Sequence, residues 1–124
     1  MPRPRATDPL NGRRILVVED DYFLAEDLRQ ELTSRGAVVM GPVADVTAAF
    51  DLLVTEEPPQ AAVLDVRLGE ELVYPLAEFL ERRGTRFVFV TVVDQRDLPP
   101  AHAKTPHIDK PVQVAWLMQL LANL

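Results

Sequence analysis

Hydrophobic and polar positions along the chain follow two periods in turn. Near-continuous apolar runs of strand length, Ile15-Leu16-Val17-Val18, Ala61-Ala62-Val63-Leu64 and Phe87-Val88-Phe89-Val90, alternate with stretches where apolar residues recur every three or four positions. The runs predict strands over about 14–18, 61–65 and 86–90, with another over about 37–40, stopped by Gly41-Pro42. Pro106-His107-Ile108-Asp109 is the last short run. Leu24, Leu28 and Leu32 mark the inward stripe of a first helix over about 22–34, closed by Gly36. Val46, Ala49, Phe50 and Leu53 mark a second, with Asp45 as N-cap and Pro58-Pro59 beyond its end. Leu76, Phe79 and Leu80 mark a third over about 72–83, with Pro75 tolerated in its first turn. Val114, Leu117, Met118 and Leu121 mark the last, over about 112–124.

Strands without polar alternation are those covered by helices on both faces. Strands alternating with crossover helices predict an α/β domain with a right-handed, doubly wound parallel sheet. One segment breaks the rhythm. Between Thr91 and Lys110, where a further helix is due, Pro99, Pro100 and Pro106 leave room for at most a turn or two.

Composition narrows the chemistry. The 124 residues suffice for one domain, and 48% hydrophobic with 26% charged residues is ordinary for a globular protein. The net charge of -6 and the lack of a basic stripe argue against nucleic acid as a partner. There is no cysteine, hence no disulfide or thiolate metal site. No apolar stretch reaches membrane-spanning length, and no signal-peptide core follows the basic start, so the cytoplasm is the expected compartment. Three prolines in the first nine residues predict a mobile tail over 1–12 ahead of a domain over 13–124.

The strand ends carry the chemistry. The first run leads into Glu19-Asp20-Asp21, the third into Asp65, the next into Thr91, and the last to Lys110-Pro111. In an open parallel sheet the carboxyl ends of the strands share one edge, and ligands bind in the crevice beyond it. Two carboxylates ~5 Å apart repel by roughly 3 kcal/mol at an effective dielectric of about 20, so Glu19, Asp20 and Asp65 together call for a cation. A hard, all-oxygen site of this kind suits Mg2+. Asp65, directly after a buried strand, is placed to act as a nucleophile toward a phosphoryl group. Thr91 offers a hydroxyl and Lys110 a mobile positive charge for phosphate oxygens. Taken singly, each has a plain structural alternative: Asp20 or Asp21 as a helix cap, Asp65 as a loop aspartate, Lys110 as a surface lysine.

In order and spacing, Val17-Val18-Glu19-Asp20-Asp21, Leu64-Asp65-Val66-Arg67-Leu68-Gly69, Thr91 and Lys110-Pro111 resemble the receiver domain of two-component response regulators, from about residue 13 to 124. The resemblance implies a flavodoxin-like five-stranded sheet of order 2-1-3-4-5. It implies Asp65 as phosphoacceptor, Mg2+ bound by Asp20 directly, by Glu19 through water and by the Arg67 carbonyl. Thr91 would swing toward the phosphoryl group and Lys110 would pair with it. It further implies a sensor histidine kinase or phosphotransfer protein as donor, a downstream protein as target, possible homodimerisation, and a cis Lys110-Pro111 bond. Such a protein catalyses only its own phosphorylation and dephosphorylation.

Three departures stand out. His107 replaces the aromatic residue usual three positions before the lysine, Val112 stands where phenylalanine is frequent, and the fourth helix is short or missing. Phe89-Val90-Thr91-Val92-Val93 partly resembles a divergent receiver group with a Phe-Ala-Thr-Gly-Tyr-like run and an atypical fourth helix. Readout through a change of order over residues 92–108, with Thr91 and His107 at the switch, is therefore expected instead of a ring flip. With no output domain after the last helix, the chain would act alone through partner binding or as a phosphate sink. Trp116 and Leu120, off the inward stripe of the last helix, either complete the core or form an interaction face. The alternatives are a pseudo-receiver that only binds partners and a haloacid-dehalogenase-type phosphatase. The latter wants an aspartate where this chain has Arg67.

Overall fold

A computed structural model describes residues 7–124. In chain order the elements are β1 (Arg14–Val18), α1 (Tyr22–Ser34), β2 (Val38–Val43), α2 (Val46–Thr55), β3 (Ala61–Asp65), β4 (Arg67–Leu68), β5 (Glu71–Leu72), α3 (Tyr74–Arg82), β6 (Arg86–Thr91), β7 (His107–Asp109) and α4 (Val114–Ala122). Five strands form one parallel sheet of order β2-β1-β3-β6-β7, while β4 and β5 make a separate two-residue hairpin. Without that hairpin the order is the expected 2-1-3-4-5.

Strand pleating explains the two-sided core, because successive side chains point to opposite faces. Leu16, Val18, Ala62, Leu64, Phe87 and Phe89 face Ala49 of α2 and Leu76 and Leu80 of α3. Ile15, Val17, Val63, Val88, Val90 and Ile108 face Leu28 and Leu32 of α1 and Leu117, Met118 and Leu121 of α4. Each large apolar side chain so buried contributes about 1.5–3 kcal/mol before chain entropy is subtracted.

Three expectations are corrected and one open alternative is resolved. β2 does not stop at Gly41-Pro42 but runs through it to Val43. The register passes from Leu16↔Met40 to Val18↔Val43, so Gly41 and Pro42 together oppose Val17 in a bulge. Proline is tolerated there because β2 is an edge strand. The Gly41-Pro42 peptide is cis. Helix α3 begins at Tyr74, not near 72, because Glu71-Leu72 pairs back onto Arg67-Leu68 across a turn with Gly69 at φ 63°. The tail expected over 1–12 is partly ordered. Residues 1–6 lie outside the described residues, but Leu10 is buried against the α1–α4 side and the Gly12 N–H donates to Gly36 O at 2.8 Å. Trp116 does not complete the core; it is half exposed, whereas Leu120 packs against it.

Between β6 and β7 the chain makes two single 3-10 turns, Gln95–Asp97 and Pro100–His102, in place of a fourth crossover helix. Among the described residues no helix is long and apolar enough to cross a membrane.

Candidate functional site

The acidic group forms at the carboxyl edge of the three central strands. The bulge in β2 helps place it: the Glu19 N–H donates to Val43 O at 2.9 Å, so β1 stays tied to β2 one residue beyond its end. From there the three neighbouring acids diverge. Asp21 caps α1, its Oδ1 accepting from Phe23 N at 3.0 Å and Leu24 N at 3.3 Å. Asp20 turns across the edge, where its Oδ2 accepts from Gly69 N at 2.9 Å. Glu19 turns inward and is only 3% exposed. Its Oε2 accepts from Asp21 N at 3.0 Å.

Asp65 ends β3 and is 4% exposed. Its Oδ1 accepts from Arg67 N at 3.2 Å, and its Oδ2 accepts from Lys110 Nζ at 2.9 Å. The Lys110 ammonium lies 3.0 Å from both Glu19 oxygens but is aligned to donate only to Oε2. Oε1 is left buried without a hydrogen bond. The Lys110-Pro111 peptide is cis.

Two charges are unusually held. Burial, reinforced by the adjacent Asp65 carboxylate, pushes Glu19 up to about 7, although the Asp21 N–H and Lys110 pull it the other way. Burial opposes the Lys110 charge, but the hydrogen bonds to Asp65 and Glu19 outweigh it and raise its pKa.

Carboxylate oxygens of Glu19, Asp20 and Asp65 lie within 4.8 Å of one another. The donor set is all oxygen, and Glu19 Oε1 is buried without a hydrogen bond, 3.0 Å from the Lys110 ammonium. A hard divalent cation fits this set, because it takes oxygen donors and neutralises like charges brought together.

Thr91 arrives at the same edge without a hydrogen bond to Asp65. It follows Val90, the register partner of Asp65, and its buried Oγ1 accepts from Val93 N at 3.0 Å. Lys110 N donates to Thr91 O at 3.0 Å, which fixes β7 and the lysine against β6. Arg67 is exposed after β3. His107 opens β7 away from the acids, with Nε2 3.5 Å from Asp109 Oδ1.

A histidine in the segment between β6 and β7 is an anchor. His102 is 5% exposed, stacked on Tyr74 at 5.5 Å and 16°, and edge-on to Phe89 at 5.2 Å and Phe87 at 6.0 Å. No periodicity marks it, since its neighbours Ala101, Ala103 and Lys104 are exposed.

No family model matches the chain. Among curated proteins it is similar to the transcriptional regulatory protein PdtaR of Mycobacterium tuberculosis, 28% identical over 87 residues. That match spans 69% of this chain but only 42% of the relative. Among solved structures, SdrG from Sphingomonas melonis Fr1 is 31% identical, with a TM-score of 0.74 over 92% of this chain and 95% of that one. A CheY-like response regulator receiver domain from Methylobacillus flagellatus superposes at TM-score 0.75 with 23% identity, covering 91% and 98% of the two chains. The receiver domain of the Erythrobacter litoralis PhyR response regulator reaches 0.78 with 19% identity over 91% and 89%. Sheet order, acidic edge and these likenesses agree, and the chain belongs to the response regulator receiver domains.

Proposed function

We propose that the chain is a phosphoacceptor of a two-component relay, taking a phosphoryl group from a phosphohistidine on a sensor kinase or phosphotransfer protein onto Asp65. The observation that carries this reading is the single contact set in which buried Asp65 meets Lys110 at 2.9 Å inside a triad of carboxylates. An Asp65 oxygen attacks phosphorus, the phosphorus–nitrogen bond breaks, and the electron pair leaves with the donor imidazole. Lys110 moves from the carboxylates to the incoming phosphoryl oxygens, and Arg67 N steadies the Asp65 carboxyl through Oδ1. Asp20, Asp65, Glu19 and the Arg67 carbonyl would hold Mg2+, which supplies neutralisation of the charge that gathers as the phosphoryl group arrives. The Thr91 hydroxyl, released from Val93, donates to the phosphoryl group.

The chain accepts and loses its own phosphoryl group and is not a multiple-turnover phosphatase: the position of a second catalytic aspartate is held by exposed Arg67. The phosphorylated form acts on a downstream protein or on a second copy of this chain. The test is intact mass after incubation with a phosphohistidine donor or acetyl phosphate and Mg2+. Addition of one phosphoryl group, absent in Asp65→Asn and without Mg2+, supports the reading. No addition from any donor refutes it.

A further inference from the structure

We propose that His102 is a latch: it pins residues 92–106 along the α3 side of β6, and its grip sets how far occupancy of the Asp65 site loosens that segment. The second half of the statement rests on the phosphoacceptor reading; the first does not.

Its two ends are held by Val93, which packs on the α2–α3 core, and by Phe89 N donating to Pro106 O at 2.9 Å; between them the chain has few anchors. Of residues 92–106 only Leu98 and His102 are buried, and its regular structure is two single 3-10 turns. Leu98 joins the apolar core on the α2–α3 side. His102 enters a cage of three rings, lying flat on Tyr74 of α3 and edge-on to Phe87 and Phe89 of β6. Offset and edge-on ring pairs of this kind add to what area burial alone provides. Locally the turn is closed by His102 N donating to Pro99 O at 2.8 Å and Thr105 N to His102 O at 3.1 Å. The imidazole Nδ1 has only Thr105 Oγ1 at 3.5 Å, so ring contact is the main tether.

The front of the segment is tied to the last residue of β6 by Val93 N donating to Thr91 Oγ1 at 3.0 Å, and Val93 packs against the α2–α3 core. By strand alternation Thr91 shares a face of β6 with Phe87 and Phe89. One row of side chains on β6 thus carries both the hydroxyl that ends the strand at its carboxyl edge and two of the three rings around the latch. When Thr91 turns away from Val93, residues 92–98 lose their first tie, and the His102 cage decides where the loosening stops.

Amide hydrogen exchange on the whole chain tests this, with and without Mg2+ and beryllofluoride. Without ligand, His102→Ala is expected to speed exchange over residues 95–106 by roughly tenfold or more while β1, β3 and α1 keep their protection, and His102→Phe is expected to retain it. With beryllofluoride, the parent loosens over 92–98 only, and His102→Ala loosens to 106. Unchanged exchange in ligand-free His102→Ala, or loss of protection in His102→Phe, overturns the latch. If His102→Ala unfolds throughout, Tyr74→Leu removes the stacked partner from outside the segment and is read the same way. An unresponsive segment in a parent that takes up phosphoryl on Asp65 refutes the coupling alone; failure of that uptake refutes the phosphoacceptor reading and leaves the ligand-free comparison decisive for the latch.

Discussion

Lys110 Nζ donates to Asp65 Oδ2 at 2.9 Å, joining the end of β7 to the end of β3 across 45 positions of sequence. The Lys110 side chain, 20% exposed, brings the positive charge against two nearly buried carboxylates. Removing it leaves Asp65 and Glu19 facing each other uncompensated. Lys110→Ala is expected to lower stability by about 1–3 kcal/mol in urea melts above neutral pH. Phosphoryl uptake from acetyl phosphate should slow by roughly a hundredfold, the usual consequence of losing a charge that stabilises the transferring group. Uptake at the parent rate in Lys110→Ala would remove the lysine from the chemistry.

Glu19 predicts the pH behaviour. Its carboxyl titrates near 4.5 in the unfolded chain and at about 7 in the folded one. Between these values the folded state keeps a proton that the unfolded state has released. The stabilising contribution is therefore complete below about pH 4.5 and is lost as pH rises toward 7. Comparing thermal midpoints of the metal-free parent with Glu19→Gln isolates it: the parent should lose ground to the variant across that window. Mg2+ needs ionised carboxylates, so its stabilising increment should grow as pH rises through about 7. A metal-free parent that gains on Glu19→Gln over the same range would reverse the sign and sink the account.

The sheet and most of the acidic edge were legible because each rests on a strong local pattern. Apolar runs such as Ala61–Leu64 are too continuous for an exposed strand, and an aspartate directly after one is costly unless used. What escaped lacked a pattern. Leu10 is one apolar residue among prolines and arginines, so nothing in the sequence separates it from a tail, yet it is buried. The passage of β2 through Gly41-Pro42 contradicts a reliable stop signal, which fails because an edge strand can bulge. His102 becomes a core residue only through rings contributed by Tyr74, Phe87 and Phe89, a contact made by tertiary structure alone. Thr91 was expected to swing toward a phosphoryl group, and the resting bond its hydroxyl accepts from Val93 N is one that no sequence pattern marks.

Asp20 and Asp21 are adjacent acids that the sequence left interchangeable as caps, and the structure divides their work. Asp21 holds two N–H groups of the first turn of α1, so Asp21→Ala should cost about 1 kcal/mol while leaving the Mg2+ response of the thermal midpoint intact. Asp20 contributes a carboxylate to the triad and holds only Gly69 N, so Asp20→Ala should abolish the Mg2+ response at little cost in metal-free stability. The two variants interchange their effects if Asp20 is the cap instead.

Gly41 links the fold to the site. Its φ of 90° lies where side chains are strained, and a Cβ there would sit 2.7 Å from Val43 N and 3.0 Å from Val17 O, both backbone atoms that cannot step aside. Gly41→Ala must therefore shift the bulge, at an expected cost of about 2–4 kcal/mol in denaturant melts. The shift falls on Val43, whose carbonyl accepts from Glu19 N at 2.9 Å, so the acid triad should move with it. Weaker Mg2+ stabilisation in Gly41→Ala than in a variant equally destabilised elsewhere, such as Leu32→Ala in α1, is the expected signature of that link. Equal Mg2+ increments in the two variants would show that the bulge shapes the edge strand without positioning the acids.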